Sequence, residues 1–193
     1  MILRVFVDAN VLYSRTLRDW IFLLKLNGSG NMFQLHCTED VLAEALYHLR
    51  RDHPKWRGFQ TSSIRQAMVD ALDEIVTDFD PTIDYPGADP NDRHVHAAAV
   101  ACRADILVTG DQGLLNMPDQ SSLPYEIYSP DEFFVQVDDS SPLLVMRVTE
   151  EQRVFWAAKK RHKGLVVALE KAGCPQFGAR VQKHLKTLSG VKA

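Results

Sequence analysis

Apolar and polar positions along this chain change their period in a regular alternation. Residues 3–7, 106–109 and 127–128 are short, mainly apolar runs, and together with 33–37 (Phe-Gln-Leu-His-Cys) they read as strands. The intervening segments carry apolar residues at helical spacing. Residues 13–26 place Leu17, Trp20, Ile21 and Leu24 on one stripe, and Asn27-Gly28 stops it. Thr38 is positioned to cap a helix whose first turn holds Glu39 and Asp40; Val41, Leu42, Ala45, Leu46 and Leu49 face inward, and Pro54 ends it. A further helix is expected from Thr61-Ser62-Ser63 along Ile64, Met68, Ala71, Leu72 and Ile75. Residues 78–90 form a loop rich in Pro, Gly and Asp, with a short strand expected at 82–85. Asp92 opens an alanine-dense helix reaching Ala101, and Ser129-Pro130-Asp131-Glu132 is a capping box with proline at the first helical position. Beyond a boundary at 138–142, Thr149-Glu150-Glu151-Gln152 is expected to cap another helix, and Gly164, Gly173 and Pro175 punctuate two more.

Strands that alternate with helices imply a central, mainly parallel sheet covered by helices on both faces, a three-layer α/β/α fold. The expected organisation is a domain over 1–137 followed by an all-helical extension over 143–193.

Charge sharpens this division. The formal net charge is only -3, yet residues 150–193 hold ten Lys/Arg and three Glu (+7), against 12 Lys/Arg and 22 Asp/Glu (-10) in the preceding 149 residues. Such segregation fits a basic surface for a polyanion, a basic arm folded onto an acidic body, or a lysine-rich helix face in solvent. Three widely spaced cysteines, Cys37, Cys102 and Cys174, form no CxxC pattern, which disfavours a zinc site or disulfide framework. No apolar run approaches the ~20 residues needed to span a bilayer, and a strand and an Asp arrive where a signal peptide would have its apolar region. A cytoplasmic protein with no membrane contact is expected.

The chemistry lies in the acids. Asp8 follows the first apolar strand, with Asn10 beside it; Asp111 follows Thr109-Gly110 at the end of another strand. Carboxylates delivered beyond strand ends are how open α/β sheets build sites. Glu44 sits in a helix beside apolar positions, where an acid is costly unless paired or metal-bound. Asp89 and Asp92 both stand where a helix cap is expected, and capping accounts for one of them. Each acid alone has an ordinary explanation: Asp8, Asp89, Asp92 and Asp111 as cap or turn residues, and Glu44 as a residue bordering the apolar face of its helix. Together they offer hard oxygen ligands, suited to Mg²⁺ or Mn²⁺ rather than zinc. His94 and His96, two apart on a helix, face different ways and are expected at the surface or near substrate. Neither a phosphate-cradling P-loop nor GxGxxG is present.

Val7-Asp8-Ala9-Asn10, Glu44 after the second strand, Asp92 ahead of Ala97-Ala98-Ala99, and Val108-Thr109-Gly110-Asp111 resemble the acidic quartet of PIN domains over about residues 1–137. The resemblance implies a metal-dependent ribonuclease, in bacteria often a VapC toxin of a type II toxin–antitoxin pair. It assigns Asp8, Glu44, Asp92 and Asp111 as catalytic, metal-binding residues, with Asn10, Thr109 and Asp89 supporting. It further implies RNA as substrate (a structured loop such as in tRNA), a cognate antitoxin as partner, and a homodimer. Arg15, Arg18, Arg93, Lys159, Lys160 and Arg161 are the candidate RNA contacts, because phosphate contacts need positive charge. The C-terminal continuation past residue 137 departs from the typical toxin.

Three other readings compete. A haloacid-dehalogenase-like phosphohydrolase also begins with a strand and an Asp, but wants a second Asp where Asn10 stands. A receiver domain wants its acceptor Asp on a mid-chain strand. A catalytically silent PIN-like binding module has no reason to keep a self-repelling set of acids.

Overall fold

The computed structural model describes residues 2–28, 32–158 and 164–190. Five parallel strands, β1 (Leu3–Val7), β2 (Phe33–Cys37), β3 (Glu74–Ile75), β4 (Ile106–Val108) and β5 (Glu126–Tyr128), form one sheet in the order β3-β2-β1-β4-β5. This is the expected α/β/α class, with every strand pairing parallel. Val5, Phe6, Val7, Leu35, Leu107 and Val108 are fully buried, as the central strands of a sheet covered on both faces must be. The chain steps outward from β1 to β3, then returns to the other side of β1 as β4. Right-handed crossovers then put the first unit's helices before and after that reversal on opposite faces, and the carboxyl ends of β1 and β4 border the switch point where such sheets bind ligands.

The contacts divide the chain into two compact units. The first comprises Met1–Ser14 and Gly30–Ser129; the second comprises Arg15–Ser29 and Pro130–Ala193. In the first unit, α1 (Ala9–Tyr13) packs on α3 (Glu39–Asp52), which is followed by α4 (Gly58–Ala71). Thr38 caps α3 as expected, its Oγ1 accepting from the Val41 N–H at 3.1 Å. Further on come α5 (Arg93–Ala101), with Val95 to Ala99 buried, and the short α6 (Gln112–Leu115).

The second unit is helical: α2 (Arg15–Asn27), α7 (Pro130–Ser140), α8 (Pro142–Ala158), α9 (Leu165–Lys171) and α10 (Pro175–Leu188). Phe177 is its centre, fully buried, with its ring 4.9 Å edge-on from Trp20 and 5.0 Å from Phe134. Buried Asp131 on α7 accepts from the N–H groups of Gln176 and Phe177 at 3.1 and 2.8 Å, capping α10 from outside it. Asp138 accepts from His184 at 2.7 Å and pairs with Arg180, which also reaches Asp139 at 2.7 Å. Part of the C-terminal basic charge is therefore taken up by acids of α7.

Four local expectations are corrected. The helix expected from residue 13 begins at Arg15 instead, because Tyr13 ends the separate α1 and the Ser14 backbone is extended. Ile75 lies in β3, not on α4, because Leu72 turns the chain extended. Residues 82–85 form no strand; the Asp80 carboxylate accepts from the Thr82 N–H at 2.9 Å and closes a turn instead. Thr149 to Gln152 lie inside α8, where the buried Thr149 hydroxyl donates back to the Val145 carbonyl at 2.8 Å. No helix among the described residues is long and apolar enough to cross a membrane.

Candidate active site

Asp8, at the tip of β1, is 7% exposed, and both of its carboxylate oxygens accept hydrogen bonds. Oδ1 accepts from the Ala9 N–H at 2.6 Å, capping α1. Oδ2 accepts from the Thr109 hydroxyl at 2.6 Å and from Asn10 Nδ2 at 2.5 Å. Thr109, completely buried, also accepts from Asn10 Nδ2 at 3.0 Å and from the Asp111 N–H at 2.9 Å. Asn10 Oδ1 in turn accepts from the Gly110 N–H at 2.7 Å. The ends of β1 and β4 are thus tied by one polar network through residues about a hundred apart in sequence. Burial pushes the Asp8 carboxyl above its ordinary range; the bonds from Thr109 and Ala9 oppose this, and the charges of Glu44 and Asp111 add to it.

Asp111 caps α6, with Oδ1 accepting from both Gly113 and Leu114 N–H groups at 2.7 and 3.1 Å. Asp89 caps the 3₁₀ turn at Pro90–Asp92, accepting from the backbone and side-chain N–H groups of Asn91 at 2.9 Å each. Asp92 stands at the start of α5 yet makes no capping hydrogen bond. Of the two acids competing for the cap, Asp89 takes it and Asp92 is left for the site. Asp92 is half-buried, and burial first, then the charges of Asp111, Asp89 and Asp8, push its carboxyl up to about 6.

Glu44 is not among the apolar positions of α3: its side chain is 49% exposed and lies 3.5 Å from His48 Nε2. The burial argument for Glu44 therefore fails, although its charge reaches Asp8. Among the described residues, no group of three or more His, Cys, Asp or Glu is gathered closely enough to hold a metal ion. The donor set is nonetheless all carboxylate, and like charge adds to burial in raising the Asp8 and Asp92 carboxyls. That is the chemistry a hard divalent cation relieves, so the residues fit Mg²⁺ or Mn²⁺ by donor type.

The basic candidates are scattered. Arg93 is exposed next to Asp92. Arg15, in the second unit, is exposed and pairs with Asp19 at 3.5 Å. Arg18 is 8% exposed, so a phosphate contact there would require the side chain to leave its packing. Lys159, Lys160 and Arg161 lie outside the described residues.

A buried aromatic group behind Asp92 was not foreseen. His96, expected at the surface or near substrate, is buried, with Nδ1 2.7 Å from the Tyr125 hydroxyl. Tyr85 tilts against His96 with ring centroids 5.4 Å apart, and its hydroxyl stands 3.5 Å from Asp92 Oδ2. Gly87 permits this, because a Cβ there would meet the Tyr85 hydroxyl at 2.1 Å. Pairing across such sequence distances leaves no periodic signal.

Comparison with protein families matches the PIN domain over residues 4–113, from β1 through the turn that carries Asp111. The chain belongs to the PIN domain family. PIN domains are in general nucleases, which makes this chain a nuclease-type enzyme. No curated protein and no solved structure matches the chain. Of the residues proposed to act, Asp8, Asn10, Glu44, Asp89, Asp92, Thr109 and Asp111 all fall inside the PIN match.

Proposed function

We propose that this PIN domain is a divalent-metal-dependent endoribonuclease, the toxin of a VapBC-type pair. The observation that carries the reading is the buried Asp8 carboxylate, held between Thr109 and Asn10 and repelled by Glu44 and Asp111. A folded protein does not retain a buried, like-charged acid without return, since the ionised form is disfavoured there. Asp8 and Asp92 would be the principal ligands, with Glu44 and Asp111 completing the site and Asn10, Thr109 and Asp89 supporting it. A bound Mg²⁺ or Mn²⁺ supplies Lewis-acid stabilisation of the phosphodiester charge and a lower pKa for the attacking water. Thr109 and Asn10 keep the Asp8 carboxylate in one orientation, so no reorganisation is needed as substrate enters. Asp92, free of capping duty, is the acid best able to change partner.

The substrate class is RNA, with a tRNA loop as one candidate, and the partners are a cognate antitoxin and a second copy of this chain in a homodimer in the cytoplasm. The experiment is incubation of the full chain with total RNA and Mn²⁺ or Mg²⁺, beside Asp8→Asn and EDTA controls. Cleavage that needs metal and is lost in Asp8→Asn is the expected result. A folded Asp8→Asn that cuts at the wild-type rate refutes the assignment. Growth arrest on expression, relieved by the product of an adjacent gene, tests the toxin role; no relief counts against it.

A further inference from the structure

The turn that follows α3 has a composition unlike the rest of the acidic portion of the chain. Residues 50–57 read Arg-Arg-Asp-His-Pro-Lys-Trp-Arg, four fixed cations against one acid. All are exposed except Trp56, which is half-buried. His53 and Trp56 stack face to face, with centroids 4.0 Å apart and planes 9° from parallel. The stack is built into the backbone: Pro54 follows His53 in the chain and stiffens the turn, and the Trp56 N–H donates to the His53 carbonyl at 3.0 Å. Arg50 Nη1 donates to the Trp56 carbonyl at 3.3 Å and braces the turn from the helix. Tyr47 and Phe59, each 65% exposed, flank it.

Favourable charge at the C-terminal end of α3 accounts for Arg50 and Arg51. It does not account for Lys55 and Arg57, which lie beyond the helix, or for the ring pair. Among the described residues, neither Lys55 nor Arg57 is in an ion pair. Rigid aromatic faces set among cations are what single-stranded nucleic acid requires, since each base offers a π-face and each linkage a charge. We propose that the His53–Trp56 turn, with Arg50, Arg51, Lys55 and Arg57, is a docking surface for single-stranded RNA.

The surface is joined to the candidate active site by α3 itself. Arg51 lies seven residues after Glu44, about 10 Å along the same helix face, and the Glu44 charge reaches Asp8. That separation corresponds to a few stacked nucleotides at ~3.4 Å each. RNA held on the turn would therefore present a linkage a few nucleotides away to the acids. The substrate class rests on the nuclease reading; the docking surface rests on its own geometry.

The test is fluorescence anisotropy of a labelled, mixed-sequence single-stranded RNA of about 12 nucleotides, titrated with the full chain in EDTA so that nothing is cut. Trp56→Ala alters no charge and is expected to weaken binding roughly ten-fold, the loss of one stacked base. Trp56→Phe keeps a ring and is expected to stay within about three-fold. Lys55→Glu with Arg57→Glu is expected to weaken binding and flatten its salt dependence by about two phosphate contacts. Circular dichroism melts matching the wild type establish that each variant is folded. Wild-type affinity in both Trp56→Ala and the double charge reversal overturns the proposal, as does a wild-type chain that binds no single-stranded RNA. RNA bound through Trp56 with no cleavage in Mn²⁺ refutes the nuclease reading and keeps the docking surface. Cleavage in Mn²⁺ with unaltered binding by both Trp56→Ala and the double charge reversal does the reverse.

Discussion

Replacing Asp92 with Asn is expected to end cleavage and, at neutral pH without metal, to make the protein more stable. In the folded protein the Asp92 carboxyl is pushed from its ordinary 3.8 up to about 6, by burial first and then by Asp111, Asp89 and Asp8. The folded state therefore binds this proton more tightly than the unfolded chain. Stability contributed by the protonated form is present below about 4 and is lost as pH rises through about 6. At ~1.4 kcal/mol per pH unit, ionised Asp92 costs at most about 3 kcal/mol at neutral pH. Asp92 is only half-buried, so solvent screening reduces this to roughly 1 kcal/mol. For a chain of this size that is roughly 2–4 °C in melting temperature. Asparagine keeps the shape without the charge, so the variant should melt with the wild type near pH 4 and a few degrees above it at about pH 7.5. The assay is a pair of thermal melts in EDTA across that range. Adding Mn²⁺ should invert the order, because an ion that binds only the native wild type stabilises it by mass action. A gap that does not change with pH, or a variant less stable than wild type at about pH 7.5 in EDTA, would refute the account of Asp92.

Thr109→Val removes the hydroxyl that donates to Asp8 and accepts from Asn10 and Asp111; urea denaturation should show a loss of about 1–3 kcal/mol. Gly87→Ala places a methyl against the Tyr85 hydroxyl, and a loss of about 1–3 kcal/mol is expected by the same assay, with wild-type stability refuting the close approach. Phe177→Ala empties the ring contacts with Trp20 and Phe134 and should cost about 3–5 kcal/mol. A loss under about 1 kcal/mol would show that the helices of the second unit do not share that core.

Local pattern was enough for β1, β2, β4 and β5, though not for β3, for the parallel α/β/α class, and for the acids that follow β1 and β4. A buried central strand is mainly apolar, and the polar residues that follow it fall at the sheet edge: Asp8 directly after β1, and Thr109 and then Asp111 after β4. The cap of α3 at Thr38 is equally local, because a hydroxyl and the N–H it satisfies lie three residues apart. Sequence reasoning could also say that Asp89 and Asp92 competed for one cap. It could not say which won, since the outcome depends on the backbone of the Pro90 turn. Glu44 shows the opposite failure: neighbours along the chain put it on or beside an apolar stripe, while in α3 its side chain is half-exposed and meets His48.

What belongs to tertiary structure alone is everything that joins distant segments. The bond between Thr109 and Asp8 links residues 101 apart, and the contact of His96 with Tyr125 links residues 29 apart. Neither spacing has a period, and only the placement of β4 beside β1 brings the first pair together. The elevated Asp92 carboxyl is of the same kind: desolvation and like charge are properties of a place, not of a residue type. Composition and periodicity determine which elements form and what chemistry they carry. The fold decides which of those groups meet, because electrostatic and hydrogen-bond energies fall with distance in space and are indifferent to distance along the chain.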